Sequence, residues 1–183
     1  PAINTIGDKA RVLLFGFGAR DSGVPSDWAA GPERAGVNIL ENFSPKVVAA
    51  ISRQVGKVQQ PSDLLVASIH WGPNWGYGVA AEHQVFAHDL IERAGFHIIH
   101  GHSSHHVMPI EVWQDRLILY GCGDFLNDYE GIGGYEAYRG DLVLSYFPTI
   151  DLAKGILIEL AMVPMRINKM QLTRASREDA LWL

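Results

Sequence analysis

The sequence predicts an α/β fold, a layered sheet flanked by helices. Three observations carry that expectation. Short apolar, β-leaning runs alternate with helical patterns up to about residue 100, which is the signature of parallel βαβ units. From Ile110 onward, closely spaced strands joined by turns replace that alternation and mark antiparallel pairing. The composition, 48% hydrophobic and 19% charged over 183 residues, suits one domain with a sizeable core and argues against disorder.

Arg11 to Gly16 (RVLLFG) reads as a buried strand, followed by a long Gly-, Pro- and Ser-rich loop from Phe17 to Gly36. Loops of that length in compact domains are usually functional or mobile. Ser44 before Pro45 reads as a helix start, with Val47, Val48, Ile51 and Val55 on one apolar face. Leu64 to Ile69 (LLVASI) predicts a central strand that ends at His70. Trp71 to Gly78 is loop by its glycines and proline. Glu82 to Ala94 has helical spacing through Val85, Phe86, Leu90 and Arg93, and Gly95 is a natural stop. Phe96 to Ile99 predicts a further buried strand. Ile110 to Trp113, a turn at Gln114-Asp115, and Arg116 to Gly121 read as a hairpin. Strands are also expected at Leu142 to Phe147 and Ile156 to Met162. Ser176-Arg-Glu-Asp179 resembles a capping box that opens a short last helix.

The net charge of -5 and the absence of any basic run exclude an electrostatic footprint for nucleic acid. No apolar run is long enough for a membrane-spanning helix, and no signal-peptide pattern is present. The chain begins at Pro1 without Met. A signal or anchor upstream would place it at the cell envelope; without one, a cytoplasmic location is expected. Cys122 is the single cysteine, so no internal disulfide can form.

All eight histidines lie between His70 and His106. Imidazole is the commonest protein metal ligand and titrates near neutral pH. In open α/β folds ligands gather beyond the carboxyl ends of strands. His70 ends one predicted strand, and His100, His102 and His105 follow another through Gly101, read here as a turn glycine. The three-residue spacing of His102 and His105 lets a compact turn aim both at one ion. Neutral imidazoles suit Zn, Mn, Fe, Co or Ni. His83 and His88 belong to a helix and are expected at the solvent or the helix–sheet seam. His97 reads as structural, whereas His100 and His106 stay open between buried and functional roles.

His70-Trp-Gly72, Gly101-His-Ser-Ser-His105, Ile110-Glu111 and Leu119-Tyr-Gly-Cys-Gly-Asp-Phe125 together resemble the CapA family. This is the bacterial capsule-synthesis, poly-γ-glutamate type, related to calcineurin-like metallophosphatases. The resemblance extends back through Ser22-Gly-Val-Pro25, Trp28 and Gly36 to Leu40. Forward it runs through Asn127 to Gly131, Arg139-Gly-Asp141 and Ala175 to Leu183. It implies a metallophosphatase-like layered sheet core, with His70, His102 and His105 helping to hold a pair of divalent transition metal ions. Ser103 and Ser104 stand where many members have His-Pro, and Asp124 where many have Asn. Asp124 is therefore either a changed scaffold residue or an added carboxylate near the site. The family's early Asp, its Asn-x-Glu element and its Asn-His pair have no counterpart before His70; Asn38-Ile-Leu-Glu41 is the nearest imitation. Residues 1–183 accordingly read as one domain that is the C-terminal portion of a larger fold.

The chemistry expected of the intact protein is hydrolysis, or transfer, at a phosphoryl or acyl centre. Two cations about 4 Å apart would activate water, and His100 or His106 would protonate the leaving group. Glu111 and Asp124 are candidates to hold ligand ring N–H groups. Trp71, Trp75 and Tyr77, with Asp21, Ser22 and more weakly Trp28, are candidates to line a groove for an anionic polymer or small-molecule substrate. Covering the core is the rival role for the aromatic residues. Two other readings remain: a non-catalytic scaffold in a membrane-associated capsule-polymer complex, and a metal-free Cys–His hydrolase using Cys122. A small buried residue is the plainer role for that cysteine.

Overall fold

The computed structural model describes residues 1–6, 10–125 and 132–183. The family-like segment Asn127 to Gly131 lies outside the described residues. The chain forms β1 (Ala2–Ile6), β2 (Ala10–Ala19), β3 (Ile39–Leu40), α1 (Pro45–Gly56), β4 (Leu64–His70), α2 (Ala81–Ala94), β5 (Ile98–His102), β6 (Ile110–Trp113) and β7 (Arg116–Leu119). It continues with β8 (Leu142–Asp151), β9 (Ile156–Asn168), β10 (Gln171–Arg174) and α3 (Arg177–Trp182).

The main sheet runs β1-β2-β4-β5-β7-β6, with the short β3 added to β2. Strands β2, β4, β5 and β7 are parallel, and antiparallel β1 and β6 close the two edges. A second, antiparallel sheet follows the order β10-β9-β8. The layered α/β architecture expected from the sequence is thus present, with helices on one face of the main sheet and the small sheet on the other.

Alternation along the strands builds both faces. Leu13, Phe15 and Phe17 of β2, Leu65, Ala67 and Ile69 of β4, and Ile99 of β5 meet Val48, Ile51 and Val55 of α1 and Phe86, Leu90 and Ile91 of α2. The opposite face offers Leu64, Ile98, Leu117 and Leu119 to Tyr146, Ile150, Leu157 and Leu160 of the small sheet. Further along β4 and β5 that second face turns polar. Ser68 sits opposite His100, and His70 opposite His102, in the parallel register. The carboxyl ends of two central strands therefore present four polar side chains side by side.

Helix α1 starts at Pro45 and buries Val48, Ile51 and Val55 as its periodicity requires; Ser44 has the extended backbone of an N-cap but makes no side-chain cap bond. Gly95 ends α2 in the left-handed region at φ 78°, donating back to Ile91 and Leu90 carbonyls. The hairpin turn at Gln114 and Asp115 has φ 47° and 59°. Such paired positive values match a two-residue turn to the twist of its strands.

Several expectations need revision. β2 continues to Ala19, and the following segment holds two 3-10 turns and β3 rather than irregular loop alone. Strand β5 starts two residues later than expected and runs through Gly101 to His102. Gly101 is consequently not a turn glycine. A Cβ there would lie 2.4 Å from the Tyr120 carbonyl oxygen and 2.5 Å from Trp71 Nε1, so glycine is needed for close approach. The turn itself falls at Ser103, with φ 125°. Val85 is exposed on α2, and His83 takes a buried position instead.

Candidate functional site

Imidazoles assemble where β4 and β5 end. His70 Nδ1 lies 3.2 Å from His102 Nδ1. Ser68 Oγ lies 3.1 Å from His102 Nε2 and 3.1 Å from His100 Nδ1. The Ser68 hydroxyl, which sequence reasoning passed over, can accept from His102 Nε2–H while donating to His100 Nδ1. That arrangement turns the Nδ1 lone pair of His102 toward His70. Two ligand nitrogens at about 2.0–2.1 Å from one cation in tetrahedral geometry stand roughly 3.3 Å apart. The observed separation of the His70 and His102 nitrogens matches that spacing and equally matches an N–H···N hydrogen bond between the two rings.

Electrostatics favour the neutral imidazoles. Burial, then the neighbouring His100 and His70, push His102 down to about 4. Burial also lowers His70, against the pull of Asp21, and lowers His100. All three rings are neutral near pH 7, the state that binds metal.

The turn after β5 is braced against the loop after β4. Ser103 Oγ donates to the Gly72 carbonyl at 3.1 Å, Trp71 N–H to His102 O at 3.0 Å, and His105 N–H to Asn74 O at 3.0 Å. His105 Nδ1 lies 2.9 Å from Asp124 Oδ2. Asp124 thus pairs with the imidazole of the second histidine of the turn. Both residues border a cavity of about 570 Å³ that also includes Trp75, Tyr135, Arg139 and Arg166.

Among the described residues, no group of three or more His, Cys, Asp or Glu side chains is arranged to hold a metal ion. The structure brings His70 and His102 together, and pairs His105 with Asp124.

Other candidates separate cleanly. His106 is 1% exposed; its Nε2 accepts from Gly76 N–H at 3.1 Å and its Nδ1 donates to Val107 O at 3.0 Å. With both nitrogens engaged, its geometry is that of a strut for the loop, which corrects the expectation that it serves as an acid. His100 borders a second cavity, between the sheets, together with His102, Cys122 and Tyr146. Trp71 is buried, donates Nε1–H to Tyr120 O at 2.9 Å, stacks on His83, and borders a separate cavity of about 360 Å³ together with His83 and Tyr120. Trp75 stacks on Tyr135 at 4.4 Å and borders the cavity beside His105 and Asp124. Tyr77 is exposed and donates to Tyr138 O at 3.2 Å. Trp28 is exposed on its 3-10 turn.

Asp21 and Ser22 brace the chain. Ser22 Oγ donates to His70 O at 3.1 Å, and Asp21 accepts from Gly72 N–H at 3.1 Å. Glu111 does hold a ring N–H, but the ring is His88 at 2.9 Å, with Tyr120 OH as its other donor. It does not serve the His70–His102 pair. His97 is structural as expected, its Nδ1 accepting from Leu65 N–H at 2.9 Å. Burial pushes the Cys122 thiol up to about 12, which disfavours the thiolate that a Cys–His hydrolase would use.

Fold and site together define a layered α/β protein with imidazoles gathered at the carboxyl ends of its central parallel strands. The chain belongs to the bacterial capsule synthesis protein family PGA_cap, whose model matches residues 1–129. It is 46% identical over all 183 residues to a "Probable polyglutamine synthesis accessory protein" of Mycobacterium tuberculosis, found in two strains, and covers 48% of that relative. It is 29% identical over 150 residues to "Capsule biosynthesis protein CapA" of Bacillus anthracis, covering 71% of this chain and 34% of that one. Against "PGA biosynthesis protein CapA" of Bacillus subtilis it is 30% identical over 92 residues, 50% of this chain and 23% of the relative. The chain spans about half the length, or less, of the curated relatives it matches.

Proposed function

We propose that this chain supplies part of a metal-dependent centre for hydrolysis or group transfer in a capsule- or poly-γ-glutamate-synthesis protein. The observation that carries the reading is the 3.2 Å approach of His70 Nδ1 to His102 Nδ1 at the ends of adjacent parallel strands. His70 and His102 would hold a divalent transition metal, with His105 and Asp124 beside them. When bound, such an ion supplies Lewis acidity toward a water and toward a phosphoryl or acyl oxygen. Ser68 links the rings of His102 and His100 and would orient both. Protonation of a leaving group by His100 would use its imidazolium, which a bound anionic substrate would have to favour against the burial that lowers its pKa.

The substrate, an anionic polymer or a small anion, would enter the cavity beside His105 and Asp124. Arg139 and half-exposed Arg166 on its wall are both paired with Asp141 and Asp179, so an anion there would compete with those carboxylates. No helix among the described residues is long and apolar enough to cross a membrane. Work at the cell envelope, in a capsule-polymer complex, is part of the proposal.

A second reading, a scaffold without catalysis, has support in the word "accessory" in the mycobacterial relatives' name and in the two-nitrogen convergence of the described site. One experiment separates them. Metal content, polymer synthesis and complex assembly are measured for the native protein and for His102→Ala. Loss of metal and polymer with assembly intact supports chemistry, whereas unchanged polymer synthesis favours the scaffold.

A further inference from the structure

A carboxylate–imidazole pair next to the site has no role in the scheme above. Asp21 lies in the 3-10 turn after β2, and His83 lies in the first turn of α2. Asp21 Oδ2 is 2.6 Å from His83 Nε2 and accepts Gly72 N–H at 3.1 Å. One carboxylate oxygen therefore ties a buried helix side chain to the peptide two residues beyond His70. The adjacent Ser22 hydroxyl holds the His70 carbonyl at 3.1 Å. Residues 21 and 22 thus grip the His70-Trp-Gly72 tripeptide at both ends.

His83 itself has little freedom. Its ring stacks on Trp71 with centroids 4.8 Å apart and planes at 16°, and Phe43 meets it edge-on at 4.9 Å. Gly72 has φ 70°, and a Cβ there would sit 3.1 Å from His83 Cε1. The glycine lets the chain turn directly against this ring. Three elements, β2, β4 and α2, converge on one turn that departs from the strand end bearing His70.

We infer that Asp21 and His83 form a positioning pair that fixes the turn after β4 and so holds the His70 ring nitrogen toward His102. The inference rests on the metal-ligand reading of His70 and His102. The direction of a ligand ring follows from the backbone that carries it, and removing outer partners of metal ligands typically costs 10–100-fold in metal affinity. Asp21 acts here through the hydrogen bonds it accepts. Asparagine offers an acceptor of the same shape, so it should substitute well; alanine should not.

The test is Co²⁺ binding to the intact native protein, read by calorimetry and by the visible absorption of the bound ion, with thermal melts of each variant. Asp21→Ala is expected to weaken Co²⁺ about 10–100-fold and to change the absorption spectrum. Asp21→Asn should restore affinity to within about threefold of wild type, as expected when a hydrogen-bond acceptor rather than a ligating charge is at work. His83→Phe keeps the stacking and loses the N–H; it should weaken binding, and adding Asp21→Ala should cost little more. If Asp21→Ala lowers the melting temperature sharply, His83→Phe carries the comparison. Wild-type affinity in both Asp21→Ala and His83→Phe overturns the inference, provided His102→Ala abolishes binding. Weak binding in Asp21→Asn equal to that in Asp21→Ala also overturns it, in favour of direct ligation by Asp21. Absence of Co²⁺ binding by the wild type overturns the metal reading itself.

Discussion

Individual side chains divide by what their polar atoms already touch. Ser68 and His102 are engaged with other side chains of the site, whereas His106, Trp71 and Ser22 donate to backbone carbonyls. The first kind can reorganise around a ligand; the second holds loops in place. Cys122 belongs to neither. Its backbone pairs with Val107 in an isolated bridge, and its thiol is held protonated by burial, up to about 12. Since the thiolate is the reactive form, alkylation by iodoacetamide at pH 8 should be much slower than for a free cysteine of ordinary pKa near 8.5. Cys122→Ser should retain whatever activity the native protein has. Rapid labelling of the folded chain, or loss of activity on that substitution with the fold intact, would support the thiol hypothesis.

At the scale of elements, strand β5 decides where the site lies, and it is also where sequence reasoning placed a boundary wrongly. The His-Gly-His run looks like a loop because glycine and three polar-flanked positions suggest a turn. It is a strand because one face packs on the helix side while the other is polar; alternation is hidden when the outward residues are histidines and the inward one is glycine. By contrast, α1, α2 and the β6–β7 hairpin were legible, since their apolar periods and stop signals agree with the tertiary contacts they make. β1, β3 and β10 were missed: they are edge or add-on strands with few buried residues, so no hydrophobic pattern marks them. Of the site, the gathering of His70 and His102 was legible from strand ends. The Ser68 bridge and the Asp21–His83 pair were not, because they depend on sheet register and on helix docking between segments far apart in sequence. Gly101→Ala tests the packing account. The new methyl would meet the Tyr120 carbonyl and the Trp71 indole at 2.4 and 2.5 Å, which demands backbone movement. A loss of about 1–3 kcal/mol or more is expected in urea unfolding. A change within about 0.5 kcal/mol, the range of an innocuous surface substitution, would mean that this approach is looser than described.

For the molecule as a whole, burying so many imidazoles makes stability depend on pH in a defined window. Burial, then the charge of Arg116, pushes His97 down to about 4, and His102 is held at about 4; His70, His100 and His106 are lowered in the same direction, burial being the first cause. The ordinary value, which the unfolded chain approaches, is 6.5. Above that value neither state takes up these protons and the stability is fully present. As pH falls from about 6.5 toward 4 the unfolded chain binds protons that the folded chain refuses, so stability is lost progressively. Asp63 and Asp179, lowered by hydrogen bonds from Arg11 and Arg139, lose their contribution only below the ordinary carboxylate value of 3.8. Net charge relaxes from the formal -5 toward zero near the pI of about 5.9, which eases self-repulsion, and turns positive below it. A melting temperature that already drops between pH 6.5 and the pI of about 5.9 therefore reports the buried rings rather than global charge. The expected profile is flat above pH 7 and falls through that window. His97→Gln should make the fall shallower, because the amide oxygen can still accept the Leu65 N–H that His97 Nδ1 now takes at 2.9 Å, yet it binds no proton. A wild-type profile without slope in the window, or an unchanged slope in His97→Gln, would show that these imidazoles are protonated as readily inside the fold as outside it.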